Sequence, residues 1–240
     1  MTSLAIDWGN TRIKMAWFSQ GTLIQKETAG SVAGAMAHTR QQTAAHVIIS
    51  SVNEEAEALL QQISVPGEKL VLSPALSLPI TLDYETPQTL GVDRLAAACG
   101  AIHLFPHTPC LIVDAGTCIT YDYVDDQHVF RGGSIAPGLA MRLKAMHTFT
   151  ARLPLVDISD AAPLLGKSTR AAMQSGAFRG MAAEINGMIE QHRQSVANMH
   201  VLLTGGDAQL FENQVKPPIF AAPDLVLLGL NRILTHHVGF

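Results

Sequence analysis

The stretch SLAIDWGNTRIKMAW, residues 3–17, decides how the fold is read. Ser3 to Ile6 begins as a strand. Arg12 to Phe18 continues as one, with Ile13, Met15 and Trp17 on one face and Lys14 and Ala16 on the other. Between them stand Asp7, Trp8, Gly9, Asn10 and Thr11. A carboxylate, a glycine, an amide and a hydroxyl are the chemistry of a tight hairpin. Such a turn needs no function to explain it, because conformation alone selects these residues.

The pattern returns in CLIVDAGTCITYDYV, residues 110–124. An apolar run again ends in Asp114-Ala115-Gly116-Thr117, and alternation resumes with Ile119, Tyr121 and Tyr123 opposite Thr120 and Asp122. Each hairpin is followed by a polar turn and a third strand: Ser19-Gln20-Gly21 then TLIQKET, and Asp125 to His128 then VFRGGSI. Two such units in one chain point to a duplicated domain.

The 240 residues are 48% hydrophobic and only 15% charged, enough for a substantial core and too apolar for a disordered chain. The net charge of -4, with no stripe of Lys or Arg, argues against a nucleic-acid surface. The first residues, MTSLAIDW, carry no basic and apolar signal segment, and no run of apolar residues is long enough to span a membrane. Cys99, Cys110 and Cys118 form no C-x-x-C pair and lie in apolar segments, as buried reduced thiols do. The expectation is a cytoplasmic protein without nucleic-acid or membrane partners.

Along the chain, a short helix is expected in residues 30–44 and a buried strand from His46. A helix capped by Asn53 should follow, then a strand in EKLVLSP and a long loop or extended segment over 75–91. VDRLAAACGAIHLF reads as a helix. Residues 138–154 read as an amphipathic one, with Leu139, Leu143, Met146 and Thr150 at helical spacing. Residues 168–194 give the longest helix; HVLLTGGDAQLFENQ gives strand, Gly-Gly turn and helix; DLVLLGLNRILTHHV gives a closing helix. Each half thus carries three hairpin-linked strands followed by alternating helices and strands, an α/β design with mixed sheets flanked by helices. The expected domains are 1–104 and 105–240, with a ligand cleft where they meet.

The two Asp-x-Gly turns suit a polyphosphate. Backbone N–H groups of glycine turns approach phosphate oxygens, while Asn10, Thr11 and Thr117 add donors. Asp7 and Asp114 are anionic, so their natural partners are cations that in turn bind phosphate. Lys14 can reach a phosphate, and the turn Thr204-Gly205-Gly206 lets a base or ribose near the backbone; a purely structural turn explains it equally well. The ten histidines make no His-x-His or His-Glu-x-x-His pattern, and no Gly-x-Ser-x-Gly elbow is present.

The segments DWGNTRIK (7–14), YETPQTLGVDR (84–94), DAGTCIT (114–120), GGSIAPGL (132–139), GKSTRAAMQSG (166–176) and LTGGDA (203–208) together resemble the type III pantothenate kinases. These belong to the superfamily of actin, sugar kinases and Hsp70-like ATPases. The resemblance implies two duplicated actin-like (ribonuclease H-like) domains and ATP-dependent phosphorylation of pantothenate, the first step toward coenzyme A. It puts ATP contacts on Asp7, Trp8, Gly9, Asn10, Thr11, Arg12, Ile13, Lys14 and Thr117. Pantothenate contacts fall on Tyr84, Gly91, Val92, Asp93, Arg94 and Thr169, with Asp93 as general base. Asp114 becomes the ligand of a monovalent cation, K⁺ or NH₄⁺; Mg²⁺ accompanies ATP, and the protein is a homodimer. The bland readings are a first-turn acid for Asp93, a solvated helix residue for Arg94, a packed ring for Tyr84 and a helix-start residue for Thr169. The segment 132–138 is expected to be a glycine-rich bend that shapes the site. A superfamily kinase or phosphatase with another substrate, or a non-catalytic actin-like regulator, remains the alternative.

Overall fold

The computed structural model describes residues 2–9, 11–51 and 56–239. Its contacts divide it into two compact units. The first comprises residues 1–107, 124–131 and 224–240, and the second residues 108–123 and 132–223. The expected boundary after Leu104 falls three residues before the first of these; a single linear cut does not include the return of the C-terminal helix to the first unit.

In the first unit, β1 (Thr2–Trp8), β2 (Ile13–Ser19) and β3 (Thr22–Ala29) form an antiparallel meander, followed by α1 (Val32–Gln41). Then come β4 (His46–Ser51), α2 (Ala56–Gln62) and β5 (Lys69–Val71). The sheet order is β3-β2-β1-β4-β5, with β4 parallel to β1 and β5 parallel to β4. The expected cap Asn53 lies outside the described residues. The alternation read from the sequence is realised: Ile13, Met15 and Trp17 join Leu4, Ile6 and Trp8 in one buried cluster. Residues 75–91 hold a two-residue strand, β6 (Thr81–Leu82), and a single 3-10 turn at Pro87–Thr89.

Two helices complete this unit, α3 (Val92–Leu104) and the C-terminal α7 (Leu225–Val238), which pack on each other. A methyl group at Gly229 would collide with the Ala96 carbonyl, so the helix backbones approach as only glycine permits. Helix α7 also lies on β1 and β4, where the Ser3 hydroxyl donates to Asn231 Oδ1 at 2.6 Å, pairing two buried polar groups.

The second unit repeats the plan. Strands β7 (Cys110–Ala115), β8 (Cys118–Val124) and β9 (Val129–Pro137) are followed by α4 (Leu139–Thr148) and α5 (Thr169–Ser195). Strand β10 (His200–Thr204), α6 (Ala208–Phe211) and β11 (Phe220–Ala221) complete it. The strand order β9-β8-β7-β10-β11 matches β3-β2-β1-β4-β5 position by position, and β10 runs parallel to β7 as β4 does to β1. Strand β6 pairs with the first residues of β9, Thr81 with Val129 and Leu82 with Phe130.

Two segments differ from expectation. Residues 132–137 are not a bend but the continuation of β9, interrupted only by the positive φ of Gly132 (98°). Helix α4 stops at Thr148, well short of 154. There the Thr150 hydroxyl donates to the Met146 carbonyl at 2.7 Å and His147 Nδ1 lies 2.8 Å from the Leu153 carbonyl, so side chains satisfy what another helical turn would have.

Candidate functional site

In the first unit the β1–β2 hairpin closes through Gly9 N–H donating to the Arg12 carbonyl at 3.1 Å. Asp7 stands in β1 directly across from Lys14, with Ser50 as its neighbour on β4. Burial pushes the Asp7 carboxyl up to about 6; the Lys14 ammonium pulls it down and the charge of Asp93 pushes it up again. Asp7, Lys14 and Asp93 therefore share one electrostatic neighbourhood. Thr11 and Arg12 are exposed at the turn, whereas the side chains of Trp8 and Ile13 are committed to the core. Those last two can offer a ligand little beyond backbone. Asn10 lies outside the described residues.

Helix α3 positions the next group. Gly91 precedes it, and a Cβ there would come within 2.6 Å of Asp93 Oδ1, so the glycine leaves the carboxylate its room. Asp93 is exposed in the first turn, its Oδ1 accepting from the Arg94 backbone N–H at 2.9 Å. Arg94 is not a solvated helix residue: it is only 7% exposed. Its guanidinium carbon lies 5.9 Å from the Tyr84 ring centroid and 5.7 Å from that of Phe130. The two rings are 6.0 Å apart and inclined at 59°. An aromatic ring within about 6 Å attracts a cation through its quadrupole, so the two rings favour the charged guanidinium here. Phe130 was invisible to sequence reasoning, being one apolar residue in a strand; only the β6–β9 pairing brings it to Tyr84. Val92 is half-buried beside them.

In the second unit two glycine-bearing segments, far apart in sequence, converge on the turn Asp114–Thr117, which bears a glycine of its own. Gly116 N–H donates to the Cys118 carbonyl at 2.9 Å, Gly138 N–H to the Thr117 carbonyl at 3.2 Å, and Asp207 N–H to the Ala115 carbonyl at 2.8 Å. A Cβ on Gly138 would overlap the Gly116 and Thr117 carbonyls, and one on Gly205 the Ala115 carbonyl. Gly205 also has φ +101°, a conformation that favours glycine. Thr117 is exposed, Asp114 half-buried and opposite Thr204 of β10, and burial holds the Asp207 carboxyl above its ordinary value. The sequence marked the turn at 204–206 and the glycine-rich segment 132–138, but not that both press on the Asp114–Thr117 turn. Thr169 opens α5 and is exposed, while Ser168 Oγ caps the helix by accepting from Ala171 N–H at 3.2 Å.

Among the described residues no group of three or more His, Cys, Asp or Glu side chains is placed to hold a metal ion. Mg²⁺ keeps its waters and is typically bound through one or two carboxylates plus substrate phosphates. Asp7, a half-buried carboxylate whose ionised form is costly without a cation, fits such a role. Among the described residues no helix is long and apolar enough to cross a membrane.

Comparison with known proteins gives consistent likenesses. The family model for type III pantothenate kinase matches residues 3–191. The type III pantothenate kinase of Cytophaga hutchinsonii is 42% identical over 236 residues, covering 98% of this chain and 100% of its own. That of Bacteroides fragilis is 41% identical over 240 residues, covering 99% of each. Among solved structures, a Campylobacter jejuni protein assigned to the Baf family of transcriptional activators aligns with a TM-score of 0.63 at 22% identity, over 99% of this chain and 100% of that one. An inorganic polyphosphate/ATP-glucomannokinase from an Arthrobacter species aligns at 0.51 and 13%, over 98% and 99%. The structural likenesses carry the actin- and sugar-kinase-like fold.

Proposed function

The chain belongs to the type III pantothenate kinase family, and from that premise we propose how its own residues carry the transfer of phosphate. The protein phosphorylates pantothenate with ATP and a divalent metal ion, the first step toward coenzyme A. Asp93 is the general base: its carboxylate takes the proton of the primary hydroxyl, the freed oxygen attacks the γ-phosphorus, and the bond to the leaving ADP oxygen breaks. A weak base suffices, because positioning and charge stabilisation dominate phosphoryl transfer. Arg94 binds the pantothenate carboxylate, and Tyr84, Gly91, Val92 and Thr169 line the remainder of that substrate. Residues 7–14 and Thr117 contact ATP, with Lys14 on a phosphate. Bound Mg²⁺ supplies neutralisation of phosphate charge. Asp114 holds a monovalent cation, K⁺ or NH₄⁺, through hard oxygen donors.

One observation carries this reading above the others. An exposed carboxylate, Asp93, stands next in sequence to a buried guanidinium that lies over two aromatic rings. That pair suits a substrate with both a hydroxyl and a carboxylate, and a neutral sugar has no carboxylate for Arg94 to bind.

We also propose a homodimer in the cytoplasm. Phe149, Leu164 and Leu165 are 85%, 74% and 80% exposed in the second unit, in the segment leading to α5. Large apolar side chains at that exposure are matched by a second copy of the same surface. Light scattering on the purified protein should give twice the chain mass, and a monomer would remove the dimer.

The kinase itself is tested by ADP release from MgATP with pantothenate, with and without K⁺, beside a panel of sugars. Turnover that needs pantothenate and rises with K⁺ is expected. Turnover on a sugar alone would discard the substrate, and ATP binding with no turnover on anything would favour a regulator.

A further inference from the structure

The segment that walls the Asp114–Thr117 turn is itself held from outside the site. Pro137 ends β9 and Gly138 follows it, seated against the Gly116 and Thr117 carbonyls. The Pro137 carbonyl accepts from Arg142 Nε at 2.7 Å. The Nη2 of the same guanidinium donates to Glu184 Oε2 at 2.7 Å, and the other oxygen, Glu184 Oε1, accepts from the Tyr121 hydroxyl at 2.9 Å. Four elements meet in this chain of bonds: the end of β9, α4 (Arg142), α5 (Glu184) and β8 (Tyr121). Tyr121 is 1% exposed, and burial and Glu184 both hold its hydroxyl protonated, so it stays a donor at neutral pH.

We propose that Arg142, fixed by Glu184 and Tyr121, is a positioning residue that sets the Pro137-Gly138 backbone against the Asp114–Thr117 turn, and so tunes binding of ATP and of the monovalent cation. The guanidinium edge is what makes this specific. Its two donors reach a carbonyl on the wall and a carboxylate on α5 at once, and an ammonium, a point donor on a flexible stem, does not reproduce that edge. If the wall shifts, the Gly138 N–H to Thr117 carbonyl bond lengthens and the turn loses its register. None of the three side chains is among the residues assigned to touch a substrate. The proposal rests on the reading that Thr117 contacts ATP and Asp114 the cation.

The test is steady-state kinetics on the full-length protein with Arg142→Lys, Tyr121→Phe and Thr117→Val, varying ATP, pantothenate and K⁺ separately. For Arg142→Lys, loss of a charge-assisted bond should raise the ATP KM and the K⁺ concentration for half-activation roughly tenfold. The pantothenate KM should stay unchanged. Tyr121→Phe, which removes one hydroxyl, should shift the same two constants in the same direction by less, and it carries the test if the first variant does not fold. A lower melting temperature or kcat with both constants unmoved would overturn the proposal, since that is all a merely structural network would give. An unchanged ATP KM in Thr117→Val beside a raised one in Arg142→Lys would sink the Thr117 contact and leave the positioning role standing. The converse pattern would sink the positioning role alone.

Discussion

The two Asp-x-Gly hairpins occupy the same place in the same strand order, yet they are built for different work. The first surrounds its aspartate with charge. Asp7 faces Lys14, feels Asp93 and is pushed up to about 6 by burial, and its glycine meets nothing closer than ordinary contact. The second surrounds its aspartate with backbone. Gly138 and Gly205 press so closely on residues 114–117 that a methyl group on either would collide with a carbonyl. One duplicated hairpin has thus become an electrostatic element in the first unit and a shaped backbone cradle in the second.

This contrast can be broken at its strongest point. If the first unit carries the chemistry, Asp93→Asn should lower kcat by roughly 10²–10⁴, the usual worth of a general base, with little change in melting temperature. Near-normal turnover would remove Asp93 from that role. Arg94→Ala should raise the pantothenate KM by about 10–10², the worth of lost charge-assisted bonds. Its activity on pantothenol, which lacks the carboxylate, should fall far less; equal losses would mean that Arg94 serves packing alone.

The second unit's dependence on backbone is sharpened by a matched pair of substitutions. Gly205→Ala adds a methyl group to a residue at φ +101° that faces the Ala115 carbonyl. It should cost about 1–3 kcal/mol of stability. Gly9→Ala, with its nearest contact the Arg12 carbonyl at 3.8 Å, should be close to neutral. Equal thermal shifts would erase the distinction between the two turns.

An effect of similar size concerns Asp7. Folding raises its carboxyl from 3.8 to about 6, so the protonated form favours the native state. That contribution is full below about pH 4 and is lost as pH rises through 6. Asp7→Asn should therefore stabilise the protein at pH 7 by on the order of 1–3 kcal/mol and leave it unchanged near pH 3.5. Melting curves at the two pH values decide it, and the same shift at both would mean that burial of the charge is not the cause.

Much of the fold was legible because the hairpins, their alternation and the 27-residue helix α5 are local patterns. The Ser168 cap, too, could be read within four residues of sequence. What escaped was set by distant partners. Strand β6 is two residues long and exists only because Val129 and Phe130 pair with it. Helix α4 ends where Thr150 and His147 turn back on the backbone, a competition that apolar spacing does not report. In the site, Asp7 and the glycine turns announced themselves by residue type, and Asp93 only through the family resemblance. Phe130 and the Arg142–Glu184–Tyr121 chain did not, since Tyr121 and Glu184 stand 63 residues apart and neither carries a motif.

The most direct test of the division of labour is a K⁺ titration of pantothenate-dependent ADP release in Asp114→Asn and Asp7→Asn side by side. Asp114→Asn should turn over without responding to K⁺, whereas Asp7→Asn should turn over more slowly and keep the K⁺ response. Loss of K⁺ activation in Asp7→Asn, with activation intact in Asp114→Asn, would contradict the assignment of charge chemistry to the first hairpin and the cation to the second.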